Sequence, residues 1–312
     1  MMNDIINLIT STLLSGIKDN IAIAIEISVI AFICAVYKGF EISGGTGKEI
    51  TRSAFLVEYA IIAALLCTSI VTINNTASSA IDKMVGTMNG ISPVLLTISA
   101  YTGNVAETAG IGGSFLIATE IVSNVIKLFF LPASIIIAVL ALVDNLSEKI
   151  SITNFINLLK NIVIWGLGLI MTAYIGILSV QSIVAGVSDT ALKKTVKFAA
   201  GSMIPFVGQY LADSVDAVSA SAMTGTSVAG AGAMITIITV TVAPALKILI
   251  IAGLLKLASA IIQPVTDSRI TNSINQTATA FSLVSGLTII CAVIFTITVG
   301  ILLNTASKVM GG

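Results

Sequence analysis

The sequence predicts an all-α fold: a polytopic helical membrane protein of about eight spans, six of them in a 3+3 inverted repeat joined by a re-entrant or amphipathic connector. Three observations carry that expectation. Hydrophobic residues make up 56% of the chain and charged residues 10%, where a soluble domain carries about a quarter charged. Apolar runs near the length of a bilayer crossing recur from end to end, and no polar gap between them is long enough for a soluble domain. From Gly110 onward, residue types recur at the offset that separates Lys127 from Lys247.

Composition also narrows function. Few aromatics and 25 glycines favour helices packed through small residues over a barrel of alternating strands. A net charge of zero with no basic stretch argues against nucleic acid as a partner. The absence of histidine removes the commonest metal ligand and general base. Cys34, Cys67 and Cys291 lie singly in apolar segments, with the character of small buried hydrophobes rather than a zinc or disulfide framework. With no nucleophile–base pair and no nucleotide loop, the expectation is a non-enzyme without cofactor or metal.

The whole chain reads as one integral membrane domain. Residues 1–20 set Ile5, Ile6, Ile9, Leu13 and Ile17 on one stripe, the pattern of an interfacial amphipathic helix rather than a signal peptide. Residues 21–73 hold two N-terminal spans, Ile21–Tyr37 with Glu26 and Ala54–Ile73 with Glu58. Between them Lys38, Lys48 and Arg52 surround Gly44-Gly45-Thr46-Gly47, a cytoplasmic linker by the positive-inside rule. Residues 74–113 are polar at both ends, and Ile91–Tyr101 beside Pro93 is too short to span at about 1.5 Å per residue. A re-entrant or interfacial hairpin on the outer side is expected there.

Two repeat units follow, 110–184 and 229–304. Gly110 and Gly112 match Gly230 and Gly232, Lys127 matches Lys247, and Lys149-Ile150 matches Arg269-Ile270. Each unit divides into three apolar segments, cut near Lys127–Pro132 in the first and at Pro244 in the second. An odd number of spans per unit inverts the second copy. This topology puts the Lys127–Pro132 turn and Arg269 on the cytoplasmic side and 144–160 outside.

The connector, 185–228, contains the most unusual stretch, Lys197–Asp216. Gly201, Pro205 and Gly208 interrupt any helix there, and Asp213 and Asp216 share a face beyond the break. Either a re-entrant segment with a cation site or an interfacial helix with a wet acidic face fits. Glu26, Glu58, Glu120, Lys127 and Lys247 are the candidate functional charges of the spans, since ionisable groups in hydrocarbon are costly. The plainer reading has Lys127 snorkelling to the interface and the glutamates meeting polar helices. Pro132 and Pro244 are candidate hinges.

Three stretches resemble the stage III sporulation protein AE family. They are Leu178–Asp189 running into Lys197–Asp216, then Leu254–Ile270 with Gln263-Pro264 and Asp267, and, less specifically, Phe130–Asn161. The resemblance covers about 130–304. It implies a polytopic protein of the mother-cell membrane around the forespore, in a channel or feeding-tube complex. The implied partners are membrane lipid, ring-forming stage III sporulation proteins, a cytoplasmic secretion-type ATPase and further copies of itself. Family members usually carry a longer N-terminal region with a signal sequence, so a shortened member or a paralogue is expected.

Three functions follow: a channel component, a self-sufficient secondary transporter built on the inverted repeat, or a structural scaffold. Loss of ion-coupled uptake in Asp213→Asn or Glu120→Gln would single out the transporter.

Overall fold

A computed structural model describes the backbone of residues 2–44, 48–100, 116–146, 151–184 and 228–310, with side chains over most of that length. All described elements are helical: α1 (Met2–Gly44), α2 (Lys48–Ala100), α3 (Leu116–Asp144), α4 (Thr153–Val184), α5 (Val228–Ile262) and α6 (Ser268–Met310). The connector residues Gly201, Pro205, Gly208, Asp213 and Asp216 lie outside the described residues.

Among the described residues, five segments are long and apolar enough to cross a membrane: Phe55–Gly90, Leu116–Asp144, Thr153–Ile177, Val242–Ile262 and Ser268–Val299. Their outer surfaces agree. Trp165, Leu169, Phe129 and Leu128 are among the large apolar side chains left exposed, while Ser134, Thr277, Ser285, Thr288 and Thr298 are fully buried. Water favours the reverse arrangement; a hydrocarbon solvent accepts this one.

Several of the described helices are longer than the sequence suggested. Residues 1–20 and 21–37 do not separate, because α1 runs unbroken from Met2 to Gly44. Residues 74–100 form no hairpin; α2 continues through them to Ala100. Ile73, Ala77, Ala80, Ile81, Met84 and Met88 keep one stripe buried beyond the last fully apolar turn, so packing sustains the helix where composition suggests a loop. At 53 residues, α2 is about 80 Å long, well beyond a hydrocarbon core of about 30 Å.

Neither proline ends a helix. Ile126–Phe130 forms a π turn, closed by the Leu131 amide on the Ile126 carbonyl, and Pro132 falls in the first turn after it. A proline there costs little, since that amide lacks a helical acceptor anyway. Pro244 sits inside α5, and the neighbouring Ala245 carbonyl accepts a hydrogen bond from Ser285 of α6 at 2.9 Å.

With both cuts removed, each C-terminal half presents a pair of helices, α3–α4 and α5–α6, in place of three segments. The odd-number argument for inversion lapses with them. Topology changes as well. The Tyr59 hydroxyl donates to the Leu142 carbonyl, and the Arg269 guanidinium stacks 3.7 Å from the centre of the Phe55 ring. The beginning of α2, the end of α3 and the beginning of α6 therefore meet at one end, so Asp144 lies at the end where α2 begins rather than opposite it. The cause is α3 crossing whole.

Helix α6 is the axis of the bundle, packed against α2, α3, α4 and α5, while α1 lies chiefly on α5. Phe281, Val284, Leu287 and Phe295 of α6 fill the core with Ile62 and Leu66 of α2, Ile137 of α3 and Leu255 of α5. Two glycines leave no room for a side chain. A Cβ at Gly166 of α4 would sit 2.3 Å from Phe130 Cε1 of α3. One at Gly16 of α1 would sit 2.6 Å from Ile250 Cδ1 of α5.

Candidate functional site

The lysines that the repeat matched, Lys127 and Lys247, occupy comparable places. Lys127 of α3 forms an ion pair with Asp82 of α2. Lys247 of α5 lies 3.7 Å from Asp19 of α1. Each of the two lysines thus meets an aspartate from one of the two N-terminal helices. Lys127 does not simply snorkel: a charged partner is provided at its own level. In water such half-exposed pairs contribute about 0–1 kcal/mol. A lone charge at the centre of a bilayer costs about 2.5–3.5 kcal/mol on insertion scales, so pairing matters more there. Sequence reasoning missed both aspartates, because Asp82 was assigned to a hairpin and Asp19 to an interfacial helix.

The glutamates scatter. Glu26 is exposed on α1, and Glu58 is buried on α2 beside Tyr59. Glu120 lines a small groove between α2, α3 and α6, together with Val85, Met88, Asn89, Leu116, Thr119, Ser123 and Phe295. No two of these glutamates form a shared site. Among the described residues no three Cys, Asp or Glu side chains converge as a metal site would require.

Behind the groove lies a buried hydroxyl cluster that sequence reasoning did not single out. Thr119 of α3 and Thr298 of α6 share a hydrogen bond of 2.8 Å. Tyr174 of α4 bonds the same Thr298 hydroxyl and donates to the Ile294 carbonyl at 3.2 Å. One turn further in, Ser123 and Cys291 touch at 3.5 Å. Three helices are joined through one hydroxyl. These groups are neutral and satisfy one another, with no adjacent base to activate a nucleophile, so their chemistry is cohesion between helices. The only available signal was the unusual density of Thr and Ser along otherwise apolar segments.

The opposite end is held by charge and caps. The Asp144 carboxylate accepts the Ile152 amide and, at 2.6 Å, the Thr153 hydroxyl, closing the α3–α4 turn onto the start of α4. Asn145 donates to the Ala141 carbonyl at 2.8 Å and to Gln276 of α6 at 3.3 Å. Asp267 accepts the Arg269 amide at 3.0 Å and pairs with its guanidinium, which in turn covers Phe55. Two of the residues noted in the family-like stretch Leu254–Ile270 thereby acquire a structural role at the head of α6.

Comparison with known proteins is decisive at this point. The family model for stage III sporulation protein AE matches residues 1–306. The chain belongs to that family. Stage III sporulation protein AE of Bacillus subtilis (strain 168) is 29% identical over 217 residues, covering 70% of this chain and 54% of that protein. The chain therefore spans about half the length of that curated relative. No solved structure matches it. The family match reaches beyond the 130–304 resemblance to include α1 and α2, which supply Asp19 and Asp82. A member of the stage III sporulation protein AE family with such long apolar helices has the composition of a membrane protein.

Proposed function

We propose that the protein is a multi-pass, non-enzymatic membrane component of the stage III sporulation channel complex, in the mother-cell membrane around the forespore. The observation that carries this is the family match over residues 1–306. The chemistry agrees with a conduit or docking platform: the buried polar groups tie helices together, and charged groups occur as fixed Lys–Asp pairs. Lys48 and Arg52 open α2 at the end where Arg269 opens α6, so that end is cytoplasmic by the positive-inside rule. The cytoplasmic secretion-type ATPase would dock there and ring-forming proteins on the opposite end. Affinity purification of the tagged chain from sporulating-cell membranes in mild detergent, read by mass spectrometry, tests this. Recovery of the ring proteins and the ATPase is expected. A preparation that holds only further copies of the chain would sink it.

One observation favours a second reading, a secondary transporter: two Lys–Asp pairs at repeat-related positions within apolar helices. Solute or ion uptake into vesicles holding the chain alone, abolished by Lys127→Met, would establish that reading.

A further inference from the structure

Glu120 of α3 carries a charge that no described residue balances. It shares its groove with Asn89 of α2 and with Thr119 and Ser123 of its own helix, and it has no charged partner among the described residues. Lys127, about two turns further along α3, is held by Asp82. The surroundings are apolar. Ile117 and Ile121, on either side of Glu120 in sequence, are 61% and 57% exposed on a helix long and apolar enough to cross a membrane. A bare carboxylate in such a place is costly unless a counter-charge sits beside it.

The other polar groups of the groove are neutral oxygens suited to that counter-charge. The Thr119 and Ser123 side chains are buried, at 3% and 2% exposure. Thr298 donates to the Ile294 carbonyl at 2.9 Å, so Thr119 supplies the proton of the 2.8 Å bond between the two threonines. That leaves Thr119 with free lone pairs. The Ser123 hydroxyl meets only the Cys291 thiol, at 3.5 Å, a weak partner. Asn89 brings an amide whose oxygen can turn inward. Between these groups and the apolar Val85 and Phe295 there is room for about one water-sized particle.

We infer that the groove binds one small monovalent cation, of the size of sodium, through the Glu120 carboxylate and the oxygens of Asn89, Thr119 and Ser123. Charge and space select the ion. One carboxylate among neutral oxygens balances a single positive charge. Calcium takes about six to eight oxygens, and magnesium keeps several waters for which the groove has no room. Metals that prefer thiolate or imidazole find no such set among the described residues. The bound ion links α2 to α3 beside the hydroxyls that join α3 to α4 and α6, so its binding tightens the bundle. The site belongs to the chain alone and does not depend on membership in any larger complex.

Melting of the full chain in detergent tests this, in sodium chloride against choline chloride at equal ionic strength. The melting temperature is expected to rise with sodium and then level off, as it does for a ligand bound by the folded state. Glu120→Gln should abolish the rise, and in choline it should melt at least as high as the unsubstituted chain, because an unbalanced charge is gone. Asn89→Ala, at an exposed position, should keep the rise but move its midpoint to about tenfold higher sodium. Equilibrium dialysis with radioactive sodium should recover bound ion from the unsubstituted chain and none from Glu120→Gln. An equal rise in choline, or in Glu120→Gln, would indicate ordinary screening and overturn the inference. Dialysis that finds no sodium on the unsubstituted chain would do the same.

Discussion

Lys127 of α3 and Asp82 of α2 form an ion pair across two helices whose neighbouring surface is apolar. Removing one partner leaves the other charged in a medium that solvates it badly, whereas removing both leaves two neutral side chains. Lys127→Met or Asp82→Asn alone should cost about 1–3 kcal/mol, and the double variant should recover most of it. Unfolding of the four proteins in bicelles gives the coupling energy directly. A coupling near zero would show that the pair is merely incidental.

Gly166 and Phe130 fix the spacing of α4 on α3. A Cβ at Gly166 overlaps the edge of the Phe130 ring, so Gly166→Ala should lower stability by about 1–3 kcal/mol. Phe130→Leu in the same chain should restore part of that loss. Gly176→Ala, on the same helix with open space around it, should be harmless or slightly stabilising. Melting temperatures in one detergent compare the three.

Thr298 holds Thr119 and Tyr174 together. Thr298→Val keeps the volume and removes the shared hydroxyl, at a cost of about 1–3 kcal/mol, because two buried hydroxyls lose a partner. Thr296→Val is the control: its hydroxyl bonds only the Ala292 carbonyl of its own helix, so the change should be near neutral. Equal effects in the two variants would show that the cluster adds nothing beyond ordinary helix bonding.

Asp144 closes the turn between α3 and α4. Asp144→Ala frees the Ile152 amide and the Thr153 hydroxyl and should cost about 1–2 kcal/mol. The loss should appear locally, as faster amide hydrogen exchange in the first turns of α4 while the centre of α6 stays protected. Uniformly faster exchange would point instead to global destabilisation.

Several features of the candidate site were legible as residues but not as contacts. Lys127 and Lys247 stood out because a charge inside an apolar run is rare, and both prove to hold ion pairs. Their partners were hidden, since an aspartate in a stretch that resembles a loop gives no hint that a helix passes through it. Thr119, Tyr174 and Thr298 were invisible for a related reason. Each is an ordinary residue alone, and only helices distant in sequence bring them within bonding distance.

By itself the sequence determined the solvent, the class of element and the family: hydrophobic content sets a membrane environment, such an environment demands that backbone groups bond internally, and helices do so. The linker it placed between the first two spans is also where α1 ends, at Gly44, and α2 begins, at Lys48. Tertiary structure decided where the described helices run on without a break. Pro132 and Pro244 are strong stop signals in an isolated helix, but one follows a π turn and the other lies where α5 packs against α6 and α1, and both helices run on through them. The polar run after Ile73 stays helical because its buried stripe packs on the rest of the bundle. Local propensity differs between such outcomes by about 1–3 kcal/mol per residue, and the packing of a whole helical face outweighs it.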